Sequence, residues 1–321
     1  MFEKFGTPAF LREARASGGR RFAPVVMVLI FFAVYVVSGY AEGFLMTPFL
    51  VAVFLSDGAL YGMLSDGTDA AEIYTYIEQM TVKSPAIMLG MLFAGVGSVL
   101  IAALFCRFIE HRPLSSMGFR RMHALRSVLL GLLLGLLSAL FALGFALVFG
   151  AVRLTGVNGG AWGWTVAFLL GTAVRALAEE SLFRGLLTVS LGRRMSLGLA
   201  VLTAAFAEAA MSGGGLLGYA NAFLLSFACA LVMIRTGTVF GSVAFRTVWR
   251  FAVGVLFGAS SFPVPLFAME RADTGVPVHG GASGLGFGLC ATFALVLATA
   301  VLAMMRSVKD EDAGIPHCDL P

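Results

Sequence analysis

The stretch from residue 162 to residue 187 reads WGWTVAFLLGTAVRALAEESLFRGLL and decides what kind of fold the chain can adopt. It begins as an apolar run of the kind that crosses a bilayer, and it then carries Arg175, Glu179, Glu180 and Arg184. Ionisable side chains are costly at membrane depth and usually face the interior of a helix bundle or a wet cavity. We therefore expect the function to lie where this segment meets charged residues of other apolar segments.

The composition predicts a polytopic membrane protein. Of the 321 residues, 59% are hydrophobic and 12% are charged, whereas about a quarter of the residues in a soluble domain are charged. The net charge of +4 does not indicate nucleic-acid binding, because the basic residues lie in short loops, where the positive-inside rule explains them. We interpret the scattered cysteines, Cys106, Cys229, Cys290 and Cys318, as small core residues and not as disulfides or metal ligands.

We predict an all-α fold, a polytopic membrane bundle of about eight transmembrane helices. The predicted spans cover residues 23–40, 85–108, 127–150, 162–183, 196–212, 214–234, 238–258 and 284–305. Residues 41–54 are also apolar, and we expect a re-entrant or surface helix there. The predicted organisation is an N-terminal segment (1–22), a first pair of spans (23–108) with an outer loop (55–84), a membrane core (109–305) and a tail (306–321).

Charge predicts the orientation. Eight spans place both termini on one side, and that side collects sixteen lysines and arginines against three, Lys83, Arg153 and Arg271, on the other. Positively charged loops face the cytoplasm, so we expect both termini to be cytoplasmic, in a bacterial inner membrane. The loop at residues 55–84 carries five acidic residues between Asp57 and Glu78, which fits an outer face.

Gly131 and Gly135 form a GxxxG pattern in the third predicted span. Such a pattern serves either as a dimer face or for close packing of helices inside one bundle. We favour packing within the bundle.

Helical spacing divides the charged run into two pairs. Arg175 and Glu179 lie four residues apart, as do Glu180 and Arg184, so each pair shares a helix face and can form an ion pair. The neighbouring glutamates point about 100° apart, so Arg184 is expected to hold Glu180 while Glu179 points elsewhere. Glu179 is then either a general base in a low-dielectric cleft or part of an ion-pair network that locks helices together.

Two further segments accompany the E-E-x-x-x-R pattern of residues 179–184. They are EHRPLSSMGF at residues 110–119 and RTGTVFGS at residues 235–242. With these motifs the chain, over roughly residues 105–305, resembles the CPBP family, also called the CAAX-protease and bacteriocin-processing (Abi) family, of intramembrane proteases. The resemblance implies a helical membrane core in which the first glutamate, Glu179, activates a water. It also implies that histidines and an asparagine bind a metal or stabilise the oxyanion.

The chain departs from the second and third motifs of that family, F-x-x-x-H and H-x-x-x-N. Phe206 is present, but the histidine position holds Ala210, and Arg246 and Arg250 occupy the two polar positions of the third motif. The four histidines of the chain all lie in predicted loops or the tail. Arginine carries no lone pair for a metal and would repel a cation, so we predict no bound metal and no cofactor.

The candidate catalytic residues are Glu179, Glu180 and Arg184. The candidate binding or salt-bridge residues are Arg175, Phe206, Glu208, Arg246 and Arg250. Arg246 and Arg250 lie one turn apart, and we predict that one of them is within salt-bridge distance of Glu179 or Glu180. Counted together, these residues leave about one spare positive charge, which would make either a plug or an anion-binding pocket for a lipid headgroup or a peptide carboxylate.

Three functional classes remain open. The first is a degenerate relative that binds membrane lipids, a peptide or a membrane-protein partner. The second is an active intramembrane endopeptidase that uses Glu179. The third is a transporter-associated membrane subunit, which is disfavoured because no internal repeat of the transporter type is visible.

Overall fold

The structure, a computed structural model, describes residues 7–213, 215–257 and 262–305. The predicted tail at residues 306–321 and the first six residues lie outside this part of the chain. The helices, in chain order, are α1 (Ala9–Ala16), α2 (Pro24–Ser56), α3 (Gly58–Ser65), α4 (Ala70–Lys83), α5 (Pro85–Ile109), α6 (Ala124–Val148), α7 (Gly159–Gly192), α8 (Leu197–Ser212), α9 (Gly215–Thr236), α10 (Val239–Leu256), α11 (Val276–His279) and α12 (Leu289–Met304).

The helical bundle agrees with the predicted fold class. Six helices, α2, α5, α6, α7, α9 and α10, are long and apolar enough to cross a membrane. The predicted spans at 196–212 and 284–305 correspond to the apolar helices α8 and α12, which have 16 residues each. At 1.5 Å per residue each reaches only about 24 Å, which is shorter than the ~30 Å hydrocarbon core.

Two predicted boundaries were wrong. Residues 41–54 do not form a separate re-entrant or surface helix, because α2 continues through them to Ser56 with Pro48 inside it. In hydrocarbon every interruption exposes unpaired backbone groups, which favours one long helix. The span predicted to end at residue 183 continues to Gly192, because the charges near its end are paired inside the bundle and do not mark the membrane surface.

One small sheet is an exception to the all-α prediction. Strand β1 (Val152–Val157) pairs antiparallel with strand β2 (Phe267–Arg271), with Val152 opposite Arg271 and an irregularity between Leu154 and Gly156. β1 follows the end of α6, and β2 lies between α10 and α12. The sheet therefore ties together two connections that leave the same end of the bundle.

Small residues bring α6 and α10 into close contact. A Cβ atom added at Gly131 would lie 2.1 Å from the carbonyl oxygen of Gly241, and one at Gly135 would lie 2.8 Å from that of Phe245. The predicted packing role of the GxxxG pattern is confirmed, and it sets the position of the helix that carries Arg246. Cys106, Cys229 and Cys290 are buried free thiols, as predicted, and Cys318 lies outside the described residues.

A buried ion-pair network lies beneath the charged run of α7, at the end of the bundle where α1 packs. Arg112 is fully buried and donates to Glu110 Oε2 at 2.6 Å, to Ser116 Oγ at 2.9 Å and to the carbonyl oxygen of Gly185 at 2.9 Å. Arg193 lies 3.7 Å from the other oxygen of Glu110 and donates to the carbonyl oxygen of Arg20 at 2.7 Å. The loop at residues 110–119 is therefore an anchor for α7 and not only a charged connection.

Candidate functional site

The site is a cluster of charged side chains that four helices bring together inside the bundle. The helix α7 contributes Arg175, Glu179, Glu180 and Arg184, and its residues Ser181–Thr188 form a π-helix. The wider turn of a π-helix is frequent at functional sites, because it re-aims side chains relative to an α-helix. Glu208 comes from α8 and Arg246 and Arg250 come from α10. The fourth helix, α2, contributes Glu42.

Arg246 is the centre of the cluster and is completely buried. Its Nε lies 2.6 Å from Glu180 Oε1, and its Nη1 lies 2.8 Å from Glu179 Oε2. The same Nη1 also donates to Glu208. One guanidinium therefore joins three carboxylates, and the predicted salt bridge between α10 and the two glutamates of α7 is confirmed.

Arg184 holds the buried end of the cluster. Its Nη1 donates to Glu208, and its Nη2 donates to the carbonyl oxygen of Ser226 at 2.5 Å. Its Nε lies 3.4 Å from Glu180 Oε2, so the predicted pair exists but is looser than the contact with Glu208. Arg184 thus joins α7 to α8 and α9, a role that the sequence pattern alone did not show.

Glu179 is held by three arginines. Its Oε1 accepts hydrogen bonds from Arg250 Nη1 at 2.5 Å and from Arg175 Nε at 3.2 Å, and its Oε2 accepts the bond from Arg246. The prediction that Arg175 and Glu179 form an ion pair is confirmed. Both oxygens of the candidate general base are therefore already engaged with guanidinium groups.

Glu42 is a member of the cluster that sequence reasoning missed. Its Oε2 lies 2.7 Å from Arg175 Nη1, and its other oxygen accepts a hydrogen bond from Ser98. Glu42 is recognisable in the sequence as the one acidic residue of the 33-residue apolar helix α2. It was missed because residues 41–54 were expected to lie apart from the core. With Glu42 included, four glutamates face four arginines, so the predicted spare positive charge was wrong.

Phe206 and Ala210 do not belong to the cluster. Phe206 is 64% exposed and packs against Phe223 with ring centroids 4.7 Å apart. Ala210 lies one turn further on and is exposed as well. The inward-facing residue of this turn is Glu208, so α8 offers the cluster a carboxylate that already pairs with Arg184 and Arg246.

The residues of the cluster do not suit a metal ion. Within the described residues no group of three His, Cys, Asp or Glu side chains is arranged to hold one. The carboxylates that converge here are shared among guanidinium groups, which carry the positive charge that a cation would supply.

A cavity of about 380 Å³ lies beside the cluster, which is within the size range of small-molecule sites. Its charged wall is formed by Glu42, Arg175, Glu179, Glu208 and Arg250. Apolar side chains, among them Phe183, Leu225, Trp249, Val253 and Phe287, form much of the rest. A second cavity of about 190 Å³ shares Arg175, Arg250, Val253, Gly286 and Phe287 with the first, so Arg175 and Arg250 are the two charged residues that line both spaces.

Three of the four helices that carry the cluster, α7, α8 and α10, lie in the part of the chain that is similar to a known family. Residues 160–252 match the family model of Rce1-like proteins, described as type II CAAX prenyl endopeptidase Rce1-like. The resemblance that the motifs predicted is confirmed over this segment.

The matched segment holds seven of the eight cluster residues, all except Glu42. Homology to CAAX-type intramembrane endopeptidases, together with the six long apolar helices, supports an integral membrane protein. No curated protein matches the chain closely enough to count as a relative.

Proposed function

We propose that this chain is a non-catalytic homologue of the CAAX-type intramembrane endopeptidases and that it binds a ligand within the membrane. One observation carries the proposal: both oxygens of Glu179 accept hydrogen bonds from arginines, two of which, Arg246 and Arg250, stand where the family motif has histidine and asparagine. A lipid, a peptide or a segment of a partner membrane protein would occupy the adjoining cavity.

The chemistry of the arginines supports this proposal. A general base must have a free lone pair directed at the proton that it removes, within about 3 Å. Of the about four acceptor positions of a carboxylate, three in Glu179 are taken by guanidinium groups within 3.2 Å, which also stabilise its ionised form and so oppose its taking up a proton. Arginine keeps its charge at all ordinary pH values and has no acceptor atom, so neither Arg246 nor Arg250 can take over as a base. The cluster fills the position of a catalytic centre with mutually neutralising ion pairs.

A second function, that of an active endopeptidase, has one observation in its favour. Glu179 lines the cavity, and the outer arginines are partly exposed, Arg250 to 36% and Arg175 to 28% of the side chain. If both swung away from Glu179, its carboxylate would face the cavity with one oxygen free. Such a movement would have to break two ion pairs of Glu179 in each catalytic cycle.

A cleavage assay separates the two functions. The purified protein, in detergent and then in liposomes, is incubated with a quenched fluorescent peptide that ends in a farnesylated CAAX sequence. We expect no release of fluorescence above that of the Glu179→Ala variant. The matched control is Arg126→Gln, which changes an exposed arginine at the start of α6. Cleavage by the wild type and by the control, lost on Glu179→Ala, would establish the endopeptidase instead.

We also propose that the protein lies in a bacterial inner membrane with both termini in the cytoplasm. Without Arg184, which the structure places in the buried cluster, fifteen lysines and arginines lie on one side against three on the other, and this asymmetry supports the orientation. The helices α3 and α4, with the acidic residues Glu72 and Glu78 on α4 and Asp57, Asp66 and Asp69 flanking the helices, would then lie on the outer face.

A further inference from the structure

The wall of the cavity offers hydrogen-bond donors that the protein itself does not use. Arg250 donates through Nη1 alone, and Arg175 through Nε and Nη1, among the contacts of the described residues. The hydroxyl group of Tyr35, which also lines the cavity, has no hydrogen-bond partner within the same part of the chain. By contrast, each carboxylate oxygen of the three lining glutamates, Glu42, Glu179 and Glu208, already accepts at least one hydrogen bond. The wall therefore suits a ligand group that accepts hydrogen bonds.

Arg250 marks the positive end of a cluster that is neutral as a whole. Its one carboxylate partner, among the described residues, is Glu179, which is shared with Arg175 and Arg246. Arg175 and Arg246 also pair with other glutamates, whereas in the described part of the chain Arg250 depends on Glu179 alone. An anion beside Arg250 would gain charge-assisted hydrogen bonds, which are about twice as strong as neutral ones.

Most of the remaining lining is apolar, with Tyr35, Ser98, Ser212 and Asn221 as its polar members, and the cavity opens to the side of the bundle. Trp249 is buried next to Arg250 in the sequence and lines the cavity, together with Leu225 and Phe287. Of the residues that line the cavity, Gly39 and Ser212 are exposed, so the opening lies between α2 and the end of α8. Because Gly39 lies near the middle of the apolar helix α2, an opening beside it would face the hydrocarbon region and would favour a ligand with an apolar body behind its polar head.

We propose that this cavity binds a single-chain amphiphile with an anionic head, a carboxylate or a phosphate. The head lies against Arg250 and Arg175, and the chain lies along the apolar wall toward the opening at Gly39. A volume of about 380 Å³ is near the lower end of small-molecule sites, which favours one chain over two. This inference rests on the proposed function, because a ligand head at this place would occupy the position that a peptide bond needs for cleavage.

Quenching of the fluorescence of Trp249 measures binding of a ligand in the cavity. The chain has three tryptophans, and replacing the two outer ones in a Trp162→Phe/Trp164→Phe protein leaves Trp249 as the reporter inside the cavity. Dibrominated stearic acid and dibrominated stearyl phosphate are added to the protein in neutral detergent. Dibrominated stearyl alcohol, with the same chain, is the control. We expect the acid or the phosphate to quench Trp249 at concentrations about tenfold lower than the alcohol does. Competition between acid and phosphate identifies the preferred head.

Two variants with matched controls test the two ends of the site. Arg250→Gln should bring the acid within about twofold of the alcohol, whereas Arg126→Gln should leave the difference unchanged. Gly39→Leu places an apolar side chain at the exposed edge of the opening without changing a charge, and its Cβ would meet nothing within 4 Å. It should weaken quenching by all three probes. Gly43→Leu, one turn further along α2 and equally open, should not.

The outcomes are distinguishable from those of the cleavage assay. Equal quenching by acid, phosphate and alcohol, or unchanged selectivity in Arg250→Gln, overturns the ligand inference and leaves a non-catalytic protein in place. Peptide cleavage together with acid-selective, Arg250-dependent quenching overturns the proposed function but retains the anionic site. If the CAAX peptide binds in the cavity and none of the three brominated amphiphiles does, the cavity is a peptide site and the inference is overturned.

Discussion

Arg246 is the residue on which most ion pairs of the cluster converge, and its geometry depends on the shape of the guanidinium group. Nε contacts Glu180 while Nη1 contacts Glu179 and Glu208, so two different nitrogens serve three carboxylates. A lysine has the same charge on a single nitrogen and lacks this fork. A substitution that preserves the charge is therefore not conservative at this position.

We predict that Arg246→Lys lowers the free energy of unfolding by about 3 kcal/mol, because at least one buried carboxylate loses its partner. The measurement is chemical unfolding in detergent micelles, followed by tryptophan fluorescence. Arg126→Lys is the control and should stay within about 0.5 kcal/mol of the wild type. An Arg246→Lys protein as stable as its control would mean that the contacts of Arg246 contribute little.

Among the helices, the contact between α6 and α10 decides where Arg246 lies. A Cβ at Gly131 would collide with the backbone of Gly241, and backbone cannot move aside as a flexible side chain can. We predict that Gly131→Ala destabilises the protein by about 2 kcal/mol, as overpacking typically does. Gly144→Ala is the control on the same helix, because its Cβ meets nothing within 4 Å and alanine is the better helix former.

Thermal unfolding of the two alanine variants side by side checks this prediction. Gly144→Ala should melt at or slightly above the temperature of the wild type, and Gly131→Ala should melt clearly below it. Equal melting temperatures would show that α6 and α10 are further apart than the structure places them.

The π-helix of α7 is held at Gly185 by the buried side chain of Arg112. Arg112 donates to the carbonyl oxygen of Gly185, inside Ser181–Thr188, and is neutralised by Glu110. Arg112→Gln leaves Glu110 buried without its main partner, and we predict a loss of about 3–5 kcal/mol in unfolding free energy. Arg107→Gln, which changes an exposed arginine on α5, is the control for unfolding experiments. Native-like stability of Arg112→Gln would argue against the anchor.

At the scale of the whole molecule, single-cysteine labelling tests the orientation of the chain in the membrane. In a background without native cysteines, we predict that Ala70→Cys on α4 reacts with a membrane-impermeant maleimide added from outside. Arg121→Cys, in the connection between α5 and α6, should react only after the membrane is permeabilised. Both substituted positions are exposed. The reverse pattern would contradict the proposed orientation.

The sequence predicted the apolar helices and seven of the eight cluster residues, because charges inside apolar runs are visible without a structure. It did not predict Glu42, since a lone glutamate on the first helix has no partner within reach along the chain. The partner, Arg175, lies 133 residues further on. The exposure of Ala210 and Phe206 was missed for a related reason: a motif gives positions along a helix, but packing decides which face points inward. Strand β1 was not predicted, because its six residues show no clear alternation of apolar and polar side chains.

In the proposed function the ion pairs of Glu179 form a structural core where a protease would keep a free base. A double-mutant cycle on Glu179 and Arg246 measures this most directly, since it isolates the coupling between the two side chains. The unfolding free energies of the wild type, Glu179→Ala, Arg246→Ala and the double variant are compared in detergent.

We predict that each single variant loses about 3–5 kcal/mol, because an uncompensated charge remains buried. The double variant should lose at least about 1 kcal/mol less than the sum of the two single losses. Single variants that unfold like the wild type, with additive effects in the double variant, would contradict the account and leave Glu179 free for catalysis.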